Sequence, residues 1–475
     1  MARALALAAL LVVGPWWSSS TLAQTVQKIV DHGSDAQRLV FVVMGDGYSA
    51  TAADKAKFAA DVNALIVNGV LAHDFYLQNV QAFNVYRVDL VSAASGVSTP
   101  GLPKNTALKT TYNGVQGQCW ITDAPSTPGL VVGAVPATTV PRVDFYVVIP
   151  NESGYGGCTR GNILYITSGS PYTVASHEYG HGIGYLFDEY SSGIGTFRGT
   201  YHYLNCSSIE ATRASIQWKS KIASTTAVPT TFMAGMNDNT TVGAFNGCYY
   251  FDSGMYRPVQ SCRMRVVDPV HLFCPICRQV MDANVSPHLP PPQQAPSAPN
   301  NLRVIPAAFF QTPRGNPQPA TEPPYVNLQL QVFSDGRIQI LRAAQGSGAV
   351  VSAYAVADTL YEITQNGRVI AAGPLSPGLL KDRGYGRPGA ETAHADTAAT
   401  SSTVSITIPN TTMNALLSNT SISLNRVADG VALQRVTPAW VTELKSKNQL
   451  RQQAALAAQT LAPQLRPWLP ANRGR

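Results

Sequence analysis

The chain has 475 residues, 45% of them hydrophobic and only 13% charged, with 33 prolines and 38 glycines. That is enough apolar material for two or three domains, and it excludes a chain disordered throughout. The formal charge is +7, but the basic residues are dispersed and no lysine-arginine run is interleaved with aromatics, so no nucleic-acid partner is expected.

Arg3, an apolar run over residues 4–13 and small residues closing on Ala23 read as a secretory signal over 1–23. The run is too short to span a bilayer. No later stretch is apolar enough, so the expectation is a secreted or periplasmic chain without a transmembrane span. An oxidising compartment favours disulfides among Cys119, Cys158, Cys206, Cys248, Cys262, Cys274 and Cys277. Seven is odd, so at least one is unpaired or bridges elsewhere.

RLVFVVM at 38–44 is a short β-branched run that stops at Gly45-Asp46-Gly47, the pattern of a buried strand ending in a turn. Thr51 and Asp54 resemble a capping box, after which Phe58, Val62, Leu65 and Ile66 recur at helical spacing. FNVYRVDLV at 83–91, VDFYVVI at 143–149 and the run at 163–166 are further strands, with GYGG at 154–157 before the last. Strands alternating with helices predict an α/β catalytic domain over 24–286 built on a mixed sheet.

PHLPPPQQAPSAP at 287–299 reads as an extended, semi-rigid linker. Beyond it Val326, Leu328, Leu330 and Val332 alternate with polar residues, Asp335-Gly336 and Asn366-Gly367 mark hairpins, and TVSITI and SISL alternate again. An all-β, sandwich-like accessory domain over 300–436 is expected, with its own core and a surface or partner target. Thr437-Pro438 opens a stretch rich in alanine, leucine and glutamine, read as a helical tail over 437–475.

The stretch SHEYGHGIGYLFDEY at 176–190 carries the chemistry. His177 and His181 lie four apart, on one face of a helix, as two ligands of one metal ion require. Glu178, beside the first ligand, can meet a metal-bound water without binding the metal, the position of a general base. Gly180, Gly182 and Gly184 each cost a helix about 1 kcal/mol relative to alanine. Close approach of neighbours and a sharp exit of the chain would explain them. The exit matters because on a continuous helix Asp188 would lie roughly 10 Å along the axis from His181. If the helix stops near Gly184, Asp188 can fold back as third ligand, with Glu189 its nearest rival.

HExxH with glycine three residues after the second histidine, and later Cys262-x-Met264, resembles the metzincin zinc peptidases and their Met-turn. A closer resemblance rests on GDGY at 45–48, FNVYRV at 83–88, YGG at 155–157, HEYGHGIGYLFDEY at 177–190, YRP at 256–258, CRMR at 262–265 and FCPIC at 273–277. Together these are similar to the bacterial immunoglobulin A peptidase family of zinc endopeptidases, over residues 25–285. The resemblance implies a metzincin-like fold and one catalytic zinc on His177, His181 and Asp188. It also implies a protein or peptide substrate, and a methionine floor at Met264 beneath the metal.

Glu178 is then the base, and Tyr256, or less favourably Tyr190, the tyrosine that helps hold the oxyanion. YGG is either a plain turn or part of a cleft-edge strand that pairs with extended substrate. CPIC with Cys262 fits three of four ligands of a structural zinc, with His271 or Cys248 as the fourth, although export favours disulfides. Two other classes compete with the endopeptidase: a binding or adhesion protein working through its β-domain, and a zinc amidase acting on cell wall.

Overall fold

A computed structural model describes residues 25–114, 120–199, 203–208, 213–233, 238–290, 322–351, 359–375, 381–385, 397–398, 400–417, 420–427 and 450–460. The expected signal segment, Cys119 and most of the proline-rich linker lie outside the described residues.

The first half is laid down as β1 (Thr25–Val30), β2 (Leu39–Asp46), α1 (Ala52–Val62), α2 (Asp74–Gln78), β3 (Phe83–Asp89), β4 (Thr110–Tyr112), β5 (Ile121–Asp123) and α3 (Thr127–Gly133). Next come β6 (Phe145–Pro150), β7 (Gly157–Arg160), β8 (Ile163–Ile166) and α4 (Tyr172–Gly184). β2 pairs in parallel with β3 and β6, and β6 with β8, while β1 and β7 run antiparallel at the flanks, so the sheet is mixed. The continuous apolar run of β2 has its reason in burial on both faces. Phe41 and Val43 join a core with α1, α2 and α4, whereas Val40, Val42 and Met44 face the opposite side with Val131 and Val132 of α3. Thr51 caps α1 by accepting from the Asp54 amide at 3.2 Å. Asp46 of the GDGY motif is fully buried and accepts from Thr106, Leu108 and Thr110, which fixes the loop leading into β4.

After α4 the chain forms a small sheet from β9 (Ser207–Ser208), β10 (Phe245–Cys248) and β11 (Phe251–Arg257), then α5 (Pro275–Val285), which packs on α4. Cys206 and Cys248 form a disulfide, and Cys158 is also disulfide-bonded. Cys262, Cys274 and Cys277 are free, which corrects the expectation of disulfides there.

The carboxyl-terminal half comprises β12 (Pro324–Phe333), β13 (Ile338–Ser347), β14 (Thr359–Gln365), β15 (Arg368–Leu375), β16 (Lys381–Tyr385), β17 (Thr397–Ala398), β18 (Ser401–Pro409), β19 (Thr420–Val427) and β20 (Leu450–Thr460). Sheets β13-β12-β18 and β15-β14-β19-β20 share one apolar core, with Val326, Leu328, Leu330 and Val332 facing Ile363, Ile422 and Leu424. The Asn366-Gly367 hairpin turns with positive φ at both residues, 51° and 74°, as a two-residue loop of that type requires.

Two features depart from the sequence reading. The tail expected to be helical is a strand where it is described, β20, antiparallel to β19. The open edge of β19 offers unpaired backbone groups, and helix propensity is a weak preference that such pairing overrides. In addition, the β-module is not a detached unit. Asn327 and Gln329, on the polar face of β12, are fully buried against the amino-terminal half. Gln329 donates to the Val143 carbonyl at 2.8 Å and accepts from Asn162 at 3.0 Å, and Ser405 donates to the same carbonyl at 2.6 Å. β16 also extends the amino-terminal mixed sheet by pairing with the outer edge of β7.

A chain ending at Pro290 therefore loses a set of buried hydrogen bonds worth about 1 kcal/mol each. With each kcal/mol shifting the midpoint by roughly 2–4 °C in a domain of this size, we expect its thermal midpoint to fall on the order of ten degrees. Its metal content should be retained. A melt of both chains beside metal analysis checks this, and an unchanged midpoint would make the module thermodynamically separate.

Candidate active site and metal centre

Helix α4 carries His177, Glu178 and His181, all fully or almost fully buried. Its glycines serve close packing. A Cβ on Gly180 would stand 2.7 Å from Met264 Sδ, and one on Gly184 would stand 2.8 Å from Met281 Cγ. The methionine of the CRM turn thus presses directly on the helix. The sharp exit is made one residue later, at Tyr185, which adopts the left-handed conformation with φ 53°. Tyr203 donates to the Tyr185 carbonyl at 2.8 Å, and the exit brings the chain back over the histidines.

Asp188 then reaches both imidazoles. Its Oδ1 lies 3.0 Å from His177 Nε2 and 3.4 Å from His181 Nε2. Four donors about 2.0 Å from a tetrahedral ion stand roughly 3.3 Å apart, so these three atoms have the spacing of one coordination sphere. Both rings are fixed from behind, His177 Nδ1 on the Arg263 carbonyl at 3.0 Å and His181 Nδ1 on the Leu186 carbonyl at 2.7 Å. Donation from Nδ1 to those carbonyls leaves each Nε2 lone pair for a metal. In the absence of an ion, burial raises the Asp188 carboxyl, but protonation of the His181 and His177 imidazoles outweighs it and holds the group well below the usual carboxylate range. The donor set fits a divalent ion of the zinc type.

The support of Asp188 was not legible in the sequence. Tyr250 donates its hydroxyl to Asp188 Oδ2. Tyr249 and Tyr250 both have positive φ, 54° and 70°, in the turn between β10 and β11, a conformation that non-glycine residues rarely adopt. The turn docks on the ligand segment. The Tyr249 amide donates to the Asp188 carbonyl at 2.9 Å, and the Tyr250 amide to that of Tyr190 at 3.0 Å. Outer partners of this kind set ligand basicity and orientation. Tyr250→Phe should lower metal affinity by about 10–100-fold with little change in the fold, as measured by competition with a metal buffer. Unchanged affinity would leave the turn as the whole of the support.

Glu178 Oε2 accepts from Thr159 Oγ1 at 2.8 Å, which fixes the carboxylate from the side of β7. A Cβ on Gly157 would lie 2.8 Å from Glu178 Oε1, so the second glycine of YGG leaves the space that the carboxylate uses. YGG runs into strand β7 itself. Its outer edge, the one expected to receive extended substrate, is taken by β16, with Arg383, Gly384 and Tyr385 opposite Thr159, Cys158 and Gly157.

Tyr256 stands within β11, half-buried against the main core, and among the described residues no hydrogen bond joins it to the cluster. Tyr190 meets the ring of Tyr250 edge-on at 5.3 Å. Glu189 turns away from the histidines, accepting from Asn205 at 3.0 Å and lying 3.1 Å from Cys277 Sγ. His271, one of the alternatives for a thiolate site, is held by Asp268 at 2.7 Å, and Cys248 is in the disulfide.

Fold and site together define a buried two-histidine, one-carboxylate centre with a further glutamate on the same helix. The family model described as IgA Peptidase M64 matches residues 27–239 and 231–285, more than half of the chain. The chain belongs to that family of peptidases. No curated protein matches it.

Proposed function

We propose that the protein is a zinc-dependent endopeptidase with His177, His181 and Asp188 as metal ligands and Glu178 as general base. The observation that carries the reading is the convergence of two Nε2 atoms and one carboxylate oxygen, with both Nδ1 atoms committed to backbone carbonyls. His177, His181 and Asp188 would hold a zinc ion, which would supply Lewis acidity to a water and to the scissile carbonyl. Glu178 takes the proton of the attacking water and delivers it to the leaving amine. Thr159 keeps the carboxylate in place for both transfers. Met264 closes the floor against Gly180, which limits movement of the helix between the two ligands. No oxyanion role is assigned to Tyr256, whose packing is against the main core.

Pairing of extended substrate with β7 requires β16 to leave that edge, since one strand edge accepts one partner. We infer export as well. The Cys206–Cys248 disulfide supports it, and among the described residues no helix is long and apolar enough to cross a membrane. The family's name describes one substrate, and the proposal here is limited to protein substrates in general.

Digestion of casein with and without chelator tests the reading. Cleavage lost on chelation and restored by zinc is expected. Intact casein with cleavage of cell-wall peptides would favour the amidase, and no hydrolysis by the zinc-loaded chain would favour the binding protein.

A further inference from the structure

Three cysteines and one glutamate meet at a point that the catalytic reading does not use. Cys262 lies two residues before Met264, Cys274 caps α5, Cys277 lies in its first turn, and Glu189 directly follows Asp188. All three thiols and the carboxylate are fully buried, and the ligand atoms of the four residues lie within 4.8 Å of one another.

We propose that Cys262, Cys274, Cys277 and Glu189 form a second metal site, a closed structural zinc site. Cys262 Sγ and Cys277 Sγ stand 3.7 Å apart, far too long for a disulfide. It matches the edge of a tetrahedron, about 3.8 Å when metal–sulfur bonds are ~2.3 Å. Backbone amides point at the sulfurs, Cys274 N at Cys262 Sγ (3.3 Å) and Cys277 N at Cys274 Sγ (3.4 Å), as donors do around thiolates that share a cation. The spacing Cys274-x-x-Cys277 at a helix start lets two sulfurs face one ion.

Glu189 is the independent pointer. Its Oε1 is held by Asn205, but Oε2 is fully buried with no hydrogen-bond partner, although a buried carboxylate oxygen demands a donor or a cation. A disulfide within the set would use two of three thiols and leave both the third and that oxygen unanswered. Three thiolates and one carboxylate, their ligand atoms within 4.8 Å of one another, select zinc among common divalent ions, and the thiols release their protons on binding.

The consequence for the molecule lies in the Asp188-Glu189 pair. One carboxylate goes to each centre, so the second ion ties the Met-turn, α5 and the segment carrying Asp188 into one unit. Glu189 is a positioning residue for the first centre and a ligand of the second.

Metal analysis of the full-length protein, cobalt substitution and thiol counting test this. We expect two zinc per chain, a thiolate-to-cobalt charge-transfer band in the near ultraviolet, and three thiols that react with alkylating reagent only after denaturation in chelator. His177→Ala should remove one equivalent and keep the band, whereas Cys277→Ser should remove the band. If Cys277→Ser fails to fold, the stoichiometry and band of the unaltered protein decide. One zinc per chain with no thiolate band, or a disulfide among these cysteines found by mass spectrometry, overturns the proposal and leaves the peptidase reading standing. One zinc with the thiolate band upholds the proposal and removes the catalytic ion instead.

Discussion

Glu178→Ala is expected to leave the metal content unchanged and to lower kcat by a hundredfold or more, the usual contribution of a positioned general base. The carboxylate sits next to a ligand in sequence, yet its Oε2 is bound to Thr159, so its removal takes away a proton acceptor without taking away a metal donor. Turnover of casein or a quenched peptide, measured beside zinc content, checks both halves. Full activity would remove Glu178 from the mechanism, and loss of metal would make it part of the coordination.

Asp188→Ala should weaken metal binding at the histidine pair by more than a hundredfold. Partners outside a coordination sphere are worth about 10–100-fold, whereas Asp188, within 3.4 Å of both imidazoles, is one of the three ligands proposed above. The adjacent Glu189 does not replace it, since its carboxylate is engaged by Asn205 and Cys277. Competition with a metal buffer gives the affinity, and activity restored by excess zinc would show that geometry survives the substitution. Affinity equal to that of the unaltered chain would move the third ligand elsewhere.

The strands of the catalytic sheet, the helix bearing HExxH and the hairpins of the β-module follow from local pattern. Apolar runs, period-two alternation and a two-residue Asn-Gly loop each encode an element through neighbours a few residues apart. The placing of His177, Glu178 and His181 on one helix is legible for the same reason, because it follows from helical spacing alone. Asp188 was legible through the family resemblance and through the need for a chain reversal, for which the sequence suggested a glycine. The structure makes that reversal at Tyr185 instead, where Tyr203 holds a left-handed residue that local preference disfavours.

Other assignments depend on contacts that no local pattern carries. The polar residues of β12 alternate as a solvent-facing set would, yet Asn327 and Gln329 are buried because β12 docks on the Val143 carbonyl and Asn162, more than 160 residues away in sequence. The tail composition favours a helix, and an open strand edge made β20 of it. Tyr250 reaches Asp188 across 62 residues of sequence. Cys262, Cys274, Cys277 and Glu189 converge from a turn, a helix start and the segment after α4. By itself, then, the sequence determined the strands and helices whose pattern is local, the tail excepted, and the spacing of His177, Glu178 and His181 on one helix. Tertiary packing decided that Asp188 faces the two histidines and Glu189 the cysteines, because the direction of a side chain after a chain reversal is fixed by what it packs against.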